Sequence, residues 1–220
     1  MFYIIKILLY FNTIIINVVV SRYKKNTDFI KNLEKYNTNI MVYDKEIPES
    51  FPYYIPVNRG NEASVYLKYI VDHYYNLTDY TFFIHDENYS WHHHGSIEER
   101  FLEAINSKEL FFNINHFNLR PYSYISEKTE FMEFYNKFIQ PYIPLEKLPN
   151  KDFLTGYKGC AQFLVHKDLI THLPRKFYID IYNWILNFPN GKLSGYFLEW
   201  SWHLFWVISP KYKIYNFSQI

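Results

Sequence analysis

A single cysteine, Cys160, stands among 220 residues. That excludes an internal disulfide framework and a cysteine-based zinc site, and it suits a reducing compartment. Charge of one sign is not in excess: 23 Lys plus Arg face 22 Asp plus Glu. The chain therefore lacks the basic field that nucleic-acid binding requires, and no nucleic-acid partner is expected. Neither an HExxH pattern nor a glycine-rich phosphate motif occurs. Long apolar runs are missing too. Residues 1–20 are the most apolar segment, but Lys6, Asn12 and Asn17 break it, whereas a spanning helix needs about 20 clean apolar residues. No small-residue cleavage site follows. The piece IIINVVV reads instead as a first strand, which leaves residues 1–13 as an apolar extension ahead of one domain over residues 14–220. Membrane anchoring by that extension is not favoured, and a cytoplasmic location is expected.

What is present is an alternation of strand-like and helix-like patterns. Residues 14–20, 39–43, 80–84 and 160–165 have the length and composition of buried strands. Between them run helical spacings. Phe29, Ile30 and Leu33 mark residues 28–36, and Ala63, Tyr66, Leu67, Ile70 and Tyr74 follow a cap at Asn61. Ile97, Phe101 and Ile105 follow the capping-box pair Ser96 and Glu99, and Phe131, Phe134, Tyr135 and Phe138 follow Ser126. Pro174 opens a further helix, Pro189, Asn190 and Gly191 make a turn, and a last helix is expected over residues 195–208. This order predicts a three-layer α/β domain with a mainly parallel sheet.

Two places carry chemistry. In YTFFIHDENYSWHHH, residues 80–94, an apolar run ends in adjacent carboxylates, Asp86 and Glu87. Ligands of open α/β sheets bind beyond the carboxyl ends of strands, and hard divalent cations held by carboxylates commonly bring a phosphate with them. The plain alternative is a solvated turn, since many strands end in Asp or Asn. The second place is SGYFLEWSWH. There Leu198, Trp202 and Phe205 make one apolar stripe, and Glu199, His203 and Trp206 share the adjacent face. A helix this apolar is expected to be buried, so Glu199 needs His203, a cation or access to a pocket. A self-satisfied structural pair would meet the same need.

The ordered set VVVSRY, NRGNEASVYL, FFIHDENYSWHHHGS, GCAQFLVHKD and SGYFLEWSWH resembles a poorly characterised family of glycosyltransferase-like proteins of fungi and of large DNA viruses of algae and protists. The resemblance runs over about residues 16–208. It implies a compact GT-A fold, the nucleotide-diphospho-sugar transferase domain, with a central mixed sheet. It also implies transfer from a nucleotide sugar, most plausibly a UDP-sugar, to a glycan or glycoprotein hydroxyl with Mn2+ or Mg2+. Carried over by position, Ser21, Arg22 and Tyr23 would contact the base and ribose, and Asn58, Arg59 and Asn61 would face the donor. Asp86 and Glu87 would share the metal, with Asp86 also towards ribose or donor sugar. The usual acidic pattern of the family is Asp, any residue, Asp, from which His85, Asp86, Glu87, Asn88 depart. His203 would be a further metal ligand and Glu199 the general base that takes the acceptor's proton. Trp91 and His92 would meet the acceptor or a sugar face; of the consecutive histidines 92–94, whose side chains diverge, one at most is expected to matter.

Two other classes fit a cluster of acids and histidines. A metal-dependent hydrolase would turn over a phosphoester or glycoside without an acceptor. A catalytically inactive sugar-binding domain would turn over nothing.

Overall fold

Five strands build one sheet in the computed structural model, which describes residues 14–46, 53–55, 57–116, 120–156 and 159–207. The extension over residues 1–13, the loop prolines Pro48, Pro52 and Pro56, and Ile208 at the expected end of the last helix lie outside the described residues. Strand β1 (Ile16–Arg22) lies between β2 (Thr38–Asp44) and β3 (Tyr80–His85) and is parallel to both. β4 (Phe111–Asn113) and β5 (Phe163–His166) complete the order β2-β1-β3-β5-β4, with β5 antiparallel to β3 and to β4. The sheet is thus mixed, two parallel pairings on one side and two antiparallel pairings on the other, where the strand and helix alternation predicts mainly parallel strands. Register aligns the ends of the parallel strands: Ser21 is opposite Tyr43 and His85, and Arg22 is opposite Asp44.

Side chains of successive strand residues point to opposite faces, and each face has its own core. Val18, Val20, Phe82, Ile84 and Leu164 pack with Ile97, Phe101 and Ile105 of helix α2 (Ile97–Ser107) and with Ile30 and Leu33. Val19, Tyr43, Phe83, Phe163 and Val165 pack on the other side. They meet α1 (Ala63–His73), α3 (Lys128–Phe134), the short α4 (Lys167–Thr171), α5 (Arg175–Asn187) and α6 (Gly191–Val207). The second core is the larger and is strongly aromatic: Tyr66, Phe163 and Phe205 surround Trp202, which stacks on Trp206 at 6.1 Å. No helix among the described residues is long and apolar enough to cross a membrane.

Several boundaries differ from the sequence expectation, each for a local reason. Residues 28–36 make only a 3-10 turn, Asp28–Leu33, which opens with the Asp28 N–H donating to Asn26 Oδ1 at 2.7 Å and gives way to Asn37 at φ 33°. Asn61 does not cap α1: it has φ 47°, and its side chain turns away to α6. The last strand begins at Phe163 rather than residue 160, because Cys160 at φ 93° cannot continue an extended ladder. α6 starts earlier than expected, at Gly191, since Asn190 accepts from Leu193 N at 3.0 Å as its cap. The capping box of Ser96 and Glu99 forms as expected.

Candidate functional site

The carboxyl ends of β1, β2 and β3 bring the sequence-singled acids to one edge. Asp86 is one residue past β3, and its Oδ2 accepts the backbone N–H of Tyr23, one residue past β1, at 2.6 Å. Glu87 pairs with Lys25, and its other oxygen lies 3.8 Å from His85 Nδ1. The Lys25 hydrogen bond holds the Glu87 carboxyl below the usual range. Burial pushes Asp86 up despite the opposing bond from Tyr23. Arg22 donates to Asp44 at 2.7 Å and to the Lys25 carbonyl at 3.0 Å, Ser21 is buried beside it, and Tyr23 is exposed.

Behind this edge lies a second polar group of residues. Lys45, one residue past β2, sends its ammonium to the Asn61 carbonyl and, at 3.5 Å, to Asn58 Oδ1. The loop at residues 58–61 is fastened to the head of α6: Gly60 N–H donates to Gly191 O at 2.8 Å, and Arg59 Nη1 donates to Phe188 O at 2.6 Å. Gly195 is what permits the approach, because a Cβ there would lie 2.7 Å from Asn61 Cγ. Asn61 can therefore lie across α6 and donate from Nδ2 to Glu199 Oε1 at 3.2 Å. Burial raises the Glu199 carboxyl to about 6, with the Asn61 bond opposing. Glu62 precedes α1, and its Oε1 is shielded from water with no hydrogen-bond partner for that atom among the described residues. Burial, then the neighbouring Glu199, pushes it well above the carboxylate range.

The third wall comes from the chain entering β5. Cys160 N–H donates to Glu199 O at 2.6 Å, and its Sγ is 3.3 Å from His92 Nδ1. Gln162, fully buried, accepts the His85 N–H at 3.4 Å, while its Nε2 has no partner among the described residues. His92 is half-buried under Trp91, ring centroids 3.9 Å apart, and Trp91 is 74% exposed.

The structure thus gathers Ser21, Arg22, Tyr23, Asp86 and Glu87 at one edge, with Asn58, Asn61 and Glu199 behind it. Two residues are used otherwise. The guanidinium of Arg59 ties its loop to the carbonyl that ends α5. His203 is fully buried with Phe153 against its ring, and Nε2 must be the donor in its 2.7 Å bond to the Phe153 carbonyl, since a carbonyl only accepts. Burial brings its pKa down to about 4. Glu199 and His203, one turn apart on α6, thus turn to Asn61 and to Phe153 respectively. Among the described residues no group of three or more His, Cys, Asp or Glu is gathered to hold a metal ion. Sequence reasoning missed Lys25, Lys45, Glu62 and Gln162. For Lys45 a pattern was there to read: DKE closes β2 just as HDE closes β3.

A family described as "Protein of unknown function (DUF3431)" matches residues 18–215. No curated protein and no solved structure matches the chain.

Proposed function

The chain belongs to the DUF3431 family over nearly its whole length, and from that premise and the geometry above we propose that it is a glycosyltransferase of GT-A type. It moves a sugar from a nucleotide diphosphate, a UDP-sugar in the first instance, to a glycan or glycoprotein hydroxyl. The observation that carries this reading is the 2.6 Å bond from Tyr23 N to Asp86 Oδ2. It ties the segment expected to hold base and ribose to the acids expected to face the diphosphate, so that one small ligand could touch both. The sheet order, with three parallel strands ending at that edge and an antiparallel strand beside them, supports it further.

Glu199 is the proposed base. A carboxyl titrating near 6 is ionised at neutral pH yet more basic than a free Glu. Its oxygen takes the proton of the acceptor hydroxyl as that oxygen bonds to the anomeric carbon, and the bond to the donor's phosphate oxygen breaks with its electron pair leaving on the diphosphate. Asp86 and Glu87 would hold Mn2+ or Mg2+, which fits the way magnesium is bound by one or two carboxylates with phosphate oxygens and water completing its shell. When bound, such an ion supplies positive charge for the leaving diphosphate. Trp91, exposed at the rim, offers a flat face on which an acceptor sugar can stack.

The test is a panel of nucleotide sugars measured by thermal shift with and without manganese, followed by transfer assays. At least one donor should raise the melting temperature, as any ligand specific for the folded state does, and should be consumed in the presence of an acceptor. A panel in which no nucleotide sugar binds overturns the reading.

A further inference from the structure

We propose that Lys45 is an anion-binding group whose buried ammonium takes a phosphate oxygen of the ligand directly, with no metal ion between them. Naming that phosphate as the donor's diphosphate rests on the glycosyltransferase reading; the anion site itself does not.

Lys45 is 8% exposed. A lysine ammonium has three donors and no acceptor, and leaving a buried charge uncompensated is strongly destabilising. Every other lysine this deep would be expected to meet a carboxylate. Lys45 meets only neutral oxygens among the described residues, the Asn61 carbonyl and Asn58 Oδ1, the latter at the 3.5 Å limit of a hydrogen bond. Two acids are near enough to be felt, Glu62 and Asp86, but among the described residues its ammonium hydrogen-bonds to Asn58 and Asn61 instead. Burial and then Glu199 push the Glu62 carboxyl well above its ordinary range, which disfavours the charged form a counter-ion would need. Asp86 is already bound by Tyr23. Among the described residues the ammonium is thus anchored by the Asn61 carbonyl and contacted by Asn58, an exposed loop residue. It stands just past the carboxyl end of a parallel strand, beside the head of α1, whose dipole also favours negative charge. Burial brings its pKa down to about 8 against the opposing pull of Glu62 and Asp86, so an arriving anion would restore the charge that the fold disfavours.

The experiment is calorimetric titration of the full chain with inorganic pyrophosphate in excess chelator. Wild type should bind. Lys45→Met should bind about tenfold or more weakly, the loss expected for one hydrogen bond to a charged group. Asn58→Asp adds a carboxylate beside the ammonium, so it should weaken pyrophosphate severalfold while its melting temperature holds or rises; if Lys45→Met does not fold, this variant decides. Absence of pyrophosphate binding to wild type in chelator, or wild-type affinity in both the Lys45 and Asn58 variants, overturns the proposal. Pyrophosphate binding through Lys45 in a protein that transfers no sugar would sink the glycosyltransferase reading and keep the anion site; sugar transfer together with wild-type affinity in both variants would do the reverse.

Discussion

Asp86 and Glu87 are neighbours in sequence and sit at the mouth of the site, where each finds a donor at once: the Tyr23 amide for one, the Lys25 ammonium for the other. Glu62 and Glu199 lie 137 positions apart in the chain and meet only when α6 crosses the loop at residues 58–61. Asn61 donates to Glu199, a backbone N–H opposes the rise of Glu62, and burial raises both. Lys25 holds Glu87 low, whereas burial raises Asp86 as it raises the inner pair. In the proposed reaction the outer pair meets the ligand and the inner pair holds or releases a proton. Four carboxyls of nearly equal intrinsic acidity are sorted into two roles by solvent and partners alone.

The sharpest way to test that division is to remove charge without removing shape. Glu199→Gln should lower sugar transfer by roughly a hundredfold or more while donor affinity stays near wild type, since the amide cannot accept the proton; steady-state kinetics alongside donor titration read both quantities. The double replacement of Asp86 by Asn and Glu87 by Gln should fail differently. It should abolish manganese-dependent nucleotide binding and shift unfolding by no more than about 1 kcal/mol, the usual worth of a partly exposed ion pair such as Lys25 with Glu87. Equal loss of stability in both variants would erase the distinction between the pairs.

A smaller effect should come from Gly195→Ala. The added methyl would meet Asn61 at 2.7 Å and the Gly60 backbone at 2.9 Å, so we expect about 1–3 kcal/mol of lost stability. Transfer should drop as well, because the inner pair alone depends on Asn61 lying across α6; chemical unfolding and a rate assay on the same sample check this. The smallest effect is on pH. The Glu199 carboxyl is raised from 4.5 to about 6. A raised acid contributes stability that is complete below its unfolded value and is lost as pH climbs through its folded one. Between pH 4.5 and 7.5 wild type should therefore lose about 1–2 kcal/mol relative to Glu199→Gln, read from urea midpoints at each pH.

The outer pair could be read from sequence because everything that defines it is local: an apolar run long enough to be a buried strand, then charge. The same logic recovers β1, β3 and the capping box of α2. It fails where a feature is too short or too distant. β4 has three residues, too few to display a period, and the turn at Asp28–Leu33 carries helical spacing for only one turn. Asn61 looked like a cap because Asn is a capping residue, but Gly195 offers it a partner 134 positions away. Lys45 and Glu62 stand beside a loop, where nothing in the adjacent residues marks a charge as buried. Their burial follows from how α6 closes over that loop, which no window of sequence contains. His203 was legible as buried but not as tied to Phe153, since the carbonyl it reaches belongs to a 3-10 turn 50 residues earlier.

The fastening of α6 to the loop at residues 58–61 also sets the order in which the protein can become competent. Contacts this far apart in the chain carry a large loop-closure cost and form late. During synthesis the three parallel strands can pair and bury their first core, around α2, while α6 is still unmade; the outer acids then already stand at their edge. Lys45 and Glu62 wait, wetted by water that only the docking of α6 removes. Ordering of the inner acids is therefore expected late in folding, and recovery of activity after refolding should trail recovery of secondary structure by the time that helix takes to arrive.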